Sequence, residues 1–179
     1  IHKSNWKILV EGGLESYHFK VAHRKTMGPY FEDNLSSYQM LGDHMRSVLM
    51  RSSMHTLKDL PSSQWRLRDH ANIIYTFFPT TQLLVQQDHI VWINSRPISA
   101  TETELRLVTL APITRLEDDE YWDKNHRITS NTLNEDFVIG ESIQAGLATG
   151  ANEHMTFGRF EGALPEFNRV VKRYTSAQA

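Results

Sequence analysis

The chain has 179 residues, of which 40% are hydrophobic and 22% are charged, and its 19 basic and 21 acidic residues give a net charge of −2. This length and composition are those of one folded domain and exclude a wholly disordered chain. The near-neutral charge, without any charged block, argues against nucleic acids or membrane surfaces as partners bound through bulk electrostatics.

The chain contains no cysteine. Disulfides, thiolate zinc sites, thiol nucleophiles and cysteine-bound iron–sulfur clusters are therefore excluded within it, and any metal must be bound by His, Asp or Glu. The absence of cysteine suits a reducing compartment, no basic-then-apolar leader opens the chain, and no apolar stretch is long enough to span a membrane. We expect a cytoplasmic protein without membrane contact.

The first predicted element is a helix from Gly13 to about Ala22. The segment 24–71 contains Gly28-Pro29 and Gly42, and it is predicted to be irregular structure of the kind that covers a pocket. Four β-rich stretches follow, at 72–78, 82–86, 90–94 and 103–112. Because the gaps between these stretches are short, they predict an antiparallel meander rather than parallel strands joined by helices.

Helical spacing returns after the sheet, in segments 117–125, 133–147 and 162–174. Thr132 is predicted to cap the second of these helices, with Glu135 at the capping-box position, and Gly146 or Gly150 is predicted to end it. Helices on both sides of one antiparallel sheet predict a single α+β domain over residues 1–179.

A stripe of polar residues marks the first predicted helix. Glu11, Glu15, His18 and Ala22 stand at offsets that place them on one face of a regular helix. Two carboxylates and a histidine need partners if that face is buried, and a metal cation would supply one. The alternative is that the stripe faces water.

His18 and His23 are five residues apart, which separates them by roughly 140° on an ideal helix, at about 100° per residue. Such a pair suits one metal only if the helix is distorted or ends between the two residues. Spacing alone therefore leaves two readings open, a metal site or an ordinary pair of surface or core histidines.

The run NWKILVEGGLESYHFKVAH resembles the catalytic domain of Rieske non-heme iron oxygenases, the α-subunits of aromatic ring-hydroxylating dioxygenases. That family carries an Asn-Trp-Lys opening, an acid, a second acid three residues before a histidine, and a second histidine five residues later. The matching residues are Asn5-Trp6-Lys7, Glu11, Glu15, His18 and His23. The family often has Asp where Glu15 stands, although some members acting on quaternary ammonium compounds also carry Glu there.

The C-terminal sequence also resembles the family, which closes with a pair of helices whose first helix supplies the third iron ligand. Asp136 is the matching residue. Helical spacing places Asp136, Gly140, Ile143 and Leu147 on one stripe, with Glu135 directed elsewhere. Gly140 is expected to leave room at the iron.

The resemblance implies a helix-grip (START-like) fold, in which an antiparallel sheet surrounds a cavity that a long C-terminal helix closes. It implies a mononuclear Fe(II) bound by His18, His23 and Asp136, and O₂-dependent hydroxylation of an aromatic or related small organic substrate. Open alternatives are a monooxygenase or demethylase of quaternary ammonium or N-methyl compounds, a non-catalytic hydrophobic-ligand-binding domain, and a zinc hydrolase with the same ligands.

The resemblance also implies partners. Electrons would come from a Rieske [2Fe–2S] cluster, reduced by an NAD(P)H-dependent reductase or a ferredoxin, and would cross a subunit boundary in a homotrimer. Glu15 would bridge an iron-bound histidine to a cluster-bound histidine of the neighbouring subunit. Since this chain has no cysteine and opens at Ile1, close to the Asn5 motif, we expect its N-terminal Rieske domain to be absent and the chain alone not to turn over.

Overall fold

The computed structural model describes residues 1–152 and 154–176. Its centre is a six-stranded antiparallel sheet in which the strands lie in chain order. The strands are β1 (Ser37–Leu41), β2 (His44–Met50), β3 (Ala71–Phe77), β4 (Thr81–Val85), β5 (Ile90–Pro97) and β6 (Thr103–Leu110). The predicted meander is confirmed for β3 to β6, and the α+β class is confirmed for the domain.

The prediction of irregular structure over residues 24–71 is wrong for β1 and β2. β1 is an edge strand whose side chains are mostly exposed, so it has no apolar alternation to detect. β2 does alternate, but one of its buried positions is Ser47, whose hydroxyl donates a hydrogen bond to the carbonyl of Leu14 over 3.1 Å. Gly42, with φ of +67°, makes the tight turn between the two strands.

The helix predicted from Gly13 to Ala22 is wrong in its bounds. A helix α1 (Trp6–Gly12) begins earlier, where the side-chain oxygen of Asn5 accepts a hydrogen bond from the N–H of Lys7 over 3.0 Å. After the glycine pair that ends α1, the chain turns, and only the four residues of α2 (Phe19–Ala22) are helical.

The two helices predicted over 117–125 and 133–147 form one helix, α3 (Asp119–Leu147), of 29 residues. Thr132 is therefore not a cap, because it lies buried within α3, and Glu135 is not a capping-box residue. The last helix, α4 (Ala163–Ser176), agrees with its prediction. No helix among the described residues is both long and apolar enough to cross a membrane.

Two apolar clusters fasten the segment that contains α1 and α2 to the rest of the domain. The first joins α1 to the sheet and α4, and its buried members are Val10, Leu14, Met45, Ala163 and Phe167. The second lies below α2, and its members are Phe19, Phe31, Leu49 and Ile74. Burial of one such side chain contributes about 1.5–3 kcal/mol, so the residues between Leu14 and Phe19 are anchored at both ends.

Backbone polar groups add to this attachment. The Gln82 side-chain amide of β4 donates a hydrogen bond to the carbonyl of Val10 over 3.1 Å. Gly13 lies directly over this amide, and a Cβ atom on Gly13 would lie 2.6 Å from Gln82 Nε2. The Gln82 side chain therefore occupies the space that a side chain on Gly13 would need.

A second close approach occurs after α2. The N–H of Gly28 donates to the carbonyl of His23 over 2.8 Å, and a Cβ atom on Gly28 would lie 2.7 Å from the carbonyl oxygen of Phe19. Only glycine fits here without a shift of α2.

We expect Gly28→Ala to lower the free energy of unfolding by about 1–3 kcal/mol, because the added methyl group must displace the backbone of α2. Gly146→Ala is the matched control, since no atom lies within 4 Å of its added Cβ atom. In α3 this change should stabilise the protein by about 0.5–1 kcal/mol. Urea unfolding measures both, and equal stability of Gly28→Ala and the wild type would contradict the packing described.

Candidate metal centre

His18, His23 and Asp136 converge at one point, where one ligand atom from each lies within 4.8 Å of the others. His23 Nε2 is 2.9 Å from Asp136 Oδ1, and His18 Nε2 is 3.5 Å from the same oxygen. Both histidines belong to the short segment around α2, whereas Asp136 lies in the middle of α3. The three residues that the sequence predicted as ligands are thus brought together.

The short length of α2 lets His18 and His23 face the same point, which a continuous helix would not allow. His18 precedes its first residue, and His23 follows its last residue with φ of −106° and ψ of 24°, outside helical geometry. The helix thus ends between the two side chains, and their ring centroids lie 5.2 Å apart. This is the condition under which the spacing was expected to suit a single metal.

The Nε2 atom of His18 is buried and has no hydrogen-bond partner among the described residues. Its Nδ1 atom is already engaged, because it lies 2.5 Å from Glu15 Oε1. Leaving a buried polar atom unpaired costs about 1–3 kcal/mol, and a cation between Nε2 and Asp136 would remove that cost. Two imidazoles and one carboxylate form a ligand set that suits non-heme Fe(II), so the residues fit such a metal.

Glu135 holds the second histidine. Its Oε2 atom lies 2.7 Å from His23 Nδ1 and accepts a hydrogen bond from Thr26 Oγ1 over 2.8 Å. With Nδ1 occupied in this way, Nε2 of the buried His23 is turned towards Asp136.

The prediction that Glu135 points elsewhere is wrong. Residues 23–26 lie against α3, so two neighbouring positions of that helix both reach His23. One feature of the sequence could have indicated this contact. A metal-binding histidine needs an acceptor for its other ring nitrogen, and Glu135 is a second carboxylate directly beside Asp136.

The two carboxylates favour a positive charge at this point. Burial by itself lowers the pKa of His23, but the hydrogen bonds and negative charges of Asp136 and Glu135 outweigh it and raise the pKa above its ordinary value. Burial likewise raises the pKa of Glu135, but hydrogen bonds from His23 and Thr26 outweigh it and lower the pKa. The local field is therefore one that attracts a cation.

The four polar and small residues predicted to share one helix face do share one surface, although they do not lie on one helix. Glu11, Glu15, His18 and Ala22 all line one open groove, although the chain between Gly13 and His18 is not helical. Glu11 lies farther along this groove, where it accepts a hydrogen bond from Asn168 Nδ2 over 2.7 Å and where burial raises its pKa.

α3 forms the opposite wall of the groove with Asp136, Gly140, Ile143 and Leu147, as its predicted stripe requires. Gly140 does not leave space for a metal, however. A Cβ atom there would lie 3.3 Å from Ile8 Cγ2, so Gly140 allows α1 to pack against α3.

Two cavities meet at the three converging residues. The groove has a volume of about 820 Å³ and reaches His18 and Glu15, whereas an inner cavity of about 210 Å³ between the sheet and α3 reaches His23. Asp136 lines both. A metal bound here would therefore lie in the wall between an outer and an inner compartment.

Residues 1–177 match the family described as the ring-hydroxylating alpha subunit, catalytic domain. The chain belongs to this family. Membership implies a mononuclear iron at the catalytic site, and the His18, His23 and Asp136 cluster is where this chain offers ligands for one. No curated protein matches the chain.

Solved structures of Rieske oxygenases share the fold at low sequence identity. The quaternary ammonium Rieske monooxygenase CntA, in complex with an inhibitor, has a TM-score of 0.71 and 18% identity, and the match covers 97% of this chain and 47% of CntA. Another CntA structure, described in terms of carnitine oxidation and inter-subunit electron transfer, has a TM-score of 0.64 and 17% identity over 99% of this chain and 47% of that chain. Dicamba monooxygenase bound to 3,6-dichlorosalicylic acid has a TM-score of 0.71 and 11% identity over 99% of this chain and 57% of that chain. This chain thus spans about half the length of these oxygenases.

Replacing Glu135 should weaken metal binding without unfolding the protein. We expect Glu135→Ala to lower the affinity for Fe(II) about 10- to 100-fold, because the ring of His23 loses the acceptor that orients it. Anaerobic titration with Fe(II) measures this affinity. Glu102→Ala, at an exposed position in the turn before β6, is the control and should bind as the wild type does. Equal affinities of the two variants would exclude an orienting role.

Proposed function

We propose that this chain is the iron-binding catalytic domain of an oxygenase that hydroxylates a small organic substrate with O₂. His18, His23 and Asp136 would hold the Fe(II). The observation that carries the proposal is the buried Nε2 atom of His18, which has no partner among the described residues and lies 3.5 Å from Asp136 in a chain of this family.

Bound Fe(II) would supply the activation of O₂, since three protein ligands would not fill its coordination sphere. The chain's own residues prepare the site for this. Glu15 and Glu135 each occupy the Nδ1 atom of one histidine, so both rings present Nε2 to the metal. The inner cavity, walled by apolar side chains such as Leu49, Ile74 and Ile93, would hold the substrate away from bulk water.

Glu15 is proposed as the inter-subunit electron-transfer bridge. It is 6% exposed, it contacts His18 through Oε1, and it accepts a hydrogen bond from the N–H of Tyr17 through Oε2. A carboxylate has further lone pairs and can accept from another imidazole N–H on the groove side. The structure of CntA, which shares this fold, was described in terms of inter-subunit electron transfer, so such a transfer is known for an oxygenase of this fold.

The electron donor must lie outside these 179 residues, because a Rieske cluster requires cysteine and the chain has none. We place a [2Fe–2S] Rieske domain against the outer groove, from a neighbouring subunit of a homotrimer. A ferredoxin or an NAD(P)H-dependent reductase would supply its electrons.

Monooxygenation is the favoured type of hydroxylation, because the similar solved structures include two kinds of Rieske monooxygenase. Glu15, which stands where Asp is common in the family, favours a second candidate within this type, the monooxygenation or demethylation of quaternary ammonium or N-methyl compounds. A non-catalytic carrier is disfavoured, because a carrier gains nothing from an unpaired buried histidine beside a carboxylate.

Removal of a ligand should abolish stoichiometric iron binding. We expect the wild type, reconstituted anaerobically, to retain about one Fe(II) per chain after desalting, and Asp136→Ala and His18→Ala to retain little, because two ligands do not complete the site. Asp123→Ala, at an exposed position of the same helix, should retain iron. Metal analysis gives the iron content. Equal iron content in Asp136→Ala and the wild type would refute the site, and activity independent of O₂ would indicate a hydrolase.

Glu15→Gln should separate iron binding from electron transfer. In the complete oxygenase with its cluster domain and reductase, we expect full iron content but turnover reduced about 10- to 100-fold, because the amide cannot accept hydrogen bonds from two imidazoles as the carboxylate can. Glu102→Gln, at an exposed position outside the groove, is the control and should turn over normally. Product formation and iron content are measured side by side. Unchanged turnover in Glu15→Gln would rule out the bridge.

A further inference from the structure

The inner cavity contains one feature that its apolar walls do not explain. Asn72 of β3 lines this cavity and is 3% exposed, and its Oδ1 atom has no hydrogen-bond partner among the described residues. Its neighbours differ in this respect, because Gln82 donates to Val10 and Thr76, and Gln86 contacts His89. A buried acceptor without a partner destabilises the fold. Its presence here is therefore best explained by a function, such as binding a ligand that donates a hydrogen bond to it.

The second feature is a cation at the edge of the same cavity. Arg51 lines the cavity, and no carboxylate forms an ion pair with it among the residues that the structure describes. Its one side-chain hydrogen bond there, to Gln87 Oε1, is long at 3.5 Å. A guanidinium group has five N–H donors, so most of its capacity is unused.

Arg51 is nevertheless held in place. Its backbone N–H donates to the carbonyl of His70 over 2.8 Å, and its backbone forms an isolated bridge with Phe31. Its guanidinium carbon lies 5.5 Å from the centre of the Phe31 ring. An ordered but unpaired arginine is suited to bind an anion through two parallel hydrogen bonds.

The sheet register brings Arg51 and Asn72 to the same wall. Asn72 pairs with Leu49 across β2 and β3, and Arg51 stands two residues after Leu49, on the same face. Diagonal neighbours of this kind lie roughly 7–8 Å apart. The two side chains can therefore contact one small ligand.

The charges around the cavity favour an anion. Apart from Arg51 and the phenol of Tyr30, the ionisable side chains that line it among the described residues are His23 and Asp136, which belong to the metal centre. The charge of a bound Fe(II) would be balanced by Asp136 and by the carboxylates that contact the two histidines, Glu135 and Glu15. Arg51 is therefore the positive charge that the cavity can offer to a ligand. With Asp136 engaged by the metal, a purely cationic ligand would find no free carboxylate among the described residues that line the cavity, and Arg51 already lies near the face of Phe31.

The volume of the inner cavity limits the size of the ligand. A volume of about 210 Å³ is below the roughly 300–1,000 Å³ of sites for drug-sized molecules. The occupant is therefore small, with an apolar body that matches walls such as Ile74 and Leu84.

We infer that the substrate is a small organic acid whose carboxylate pairs with Arg51 and whose hydroxyl or amino group donates a hydrogen bond to Asn72. This inference rests on the proposed function, because it takes the inner cavity as the substrate site beside the iron. The two contacts would orient the apolar body of the substrate towards Asp136 and His23.

The first experiment compares three probes of similar shape and different charge: benzoate, benzamide and phenyltrimethylammonium. Each is titrated calorimetrically into the protein after anaerobic loading with Fe(II) and measurement of its iron content. We expect benzoate to bind about 10- to 100-fold more tightly than benzamide, and phenyltrimethylammonium to bind most weakly. Arg51→Gln should abolish the preference for benzoate, and the exposed Arg66→Gln should keep it.

The second experiment tests Asn72 with the three isomers of hydroxybenzoate. At least one isomer should bind about 3- to 10-fold more tightly than benzoate, and Asn72→Leu should remove this gain while leaving the affinity for benzoate within about twofold. Asn72→Leu should also raise the Tm by about 2–4 °C, because the unpaired acceptor is gone. A structural role for Asn72 would lower the Tm instead.

The outcomes separate this inference from the proposed function. If the protein fails to load Fe(II), the proposed function fails, and the inference fails with it. If it loads Fe(II) but binds benzamide or phenyltrimethylammonium at least as tightly as benzoate, the acid substrate is excluded while the iron site stands. If benzoate is preferred but Asn72→Leu leaves every hydroxybenzoate unchanged, the role of Asn72 is excluded.

Discussion

The structure depends on one buried side chain, His23, which is 1% exposed and uses both ring nitrogens. Nδ1 contacts Glu135 and Nε2 contacts Asp136, so one imidazole joins the segment around α2 to two successive positions of α3. A buried imidazole without these carboxylates would be costly. The same two contacts close the inner cavity at one end and set the direction in which a metal would be bound.

The sheet from β3 to β6 could be predicted because its inner positions alternate with outer ones and the gaps between its strands are short. β1 could not be predicted, since an exposed edge strand has no apolar alternation to detect. β2 was missed because one of its buried positions is the polar Ser47, which is satisfied by a hydrogen bond to the distant Leu14. The break between α1 and α2 is set by packing against the sheet, which a helical periodicity cannot reveal.

The predicted ligands came from a resemblance and not from spacing, which left His18 and His23 ambiguous. What the sequence could not provide was the contact of Glu135 with His23, because the two residues are 112 positions apart. The cavity residues Arg51 and Asn72 were equally hidden. We infer their role from a missing hydrogen-bond donor at Asn72 and a missing carboxylate at Arg51. Such gaps depend on three-dimensional packing and cannot be detected in the sequence.

The pair Gly12-Gly13 stands inside the sequence pattern that predicts the metal centre, yet neither glycine is one of the three converging residues that could bind a metal. A Cβ atom added to Gly13 would meet first the side-chain amide of Gln82, on the sheet below. A side chain at this position would push Gln82 out of the wall of the inner cavity. One glycine of the motif that predicts the iron site thus also determines the shape of the cavity that we propose as the substrate site.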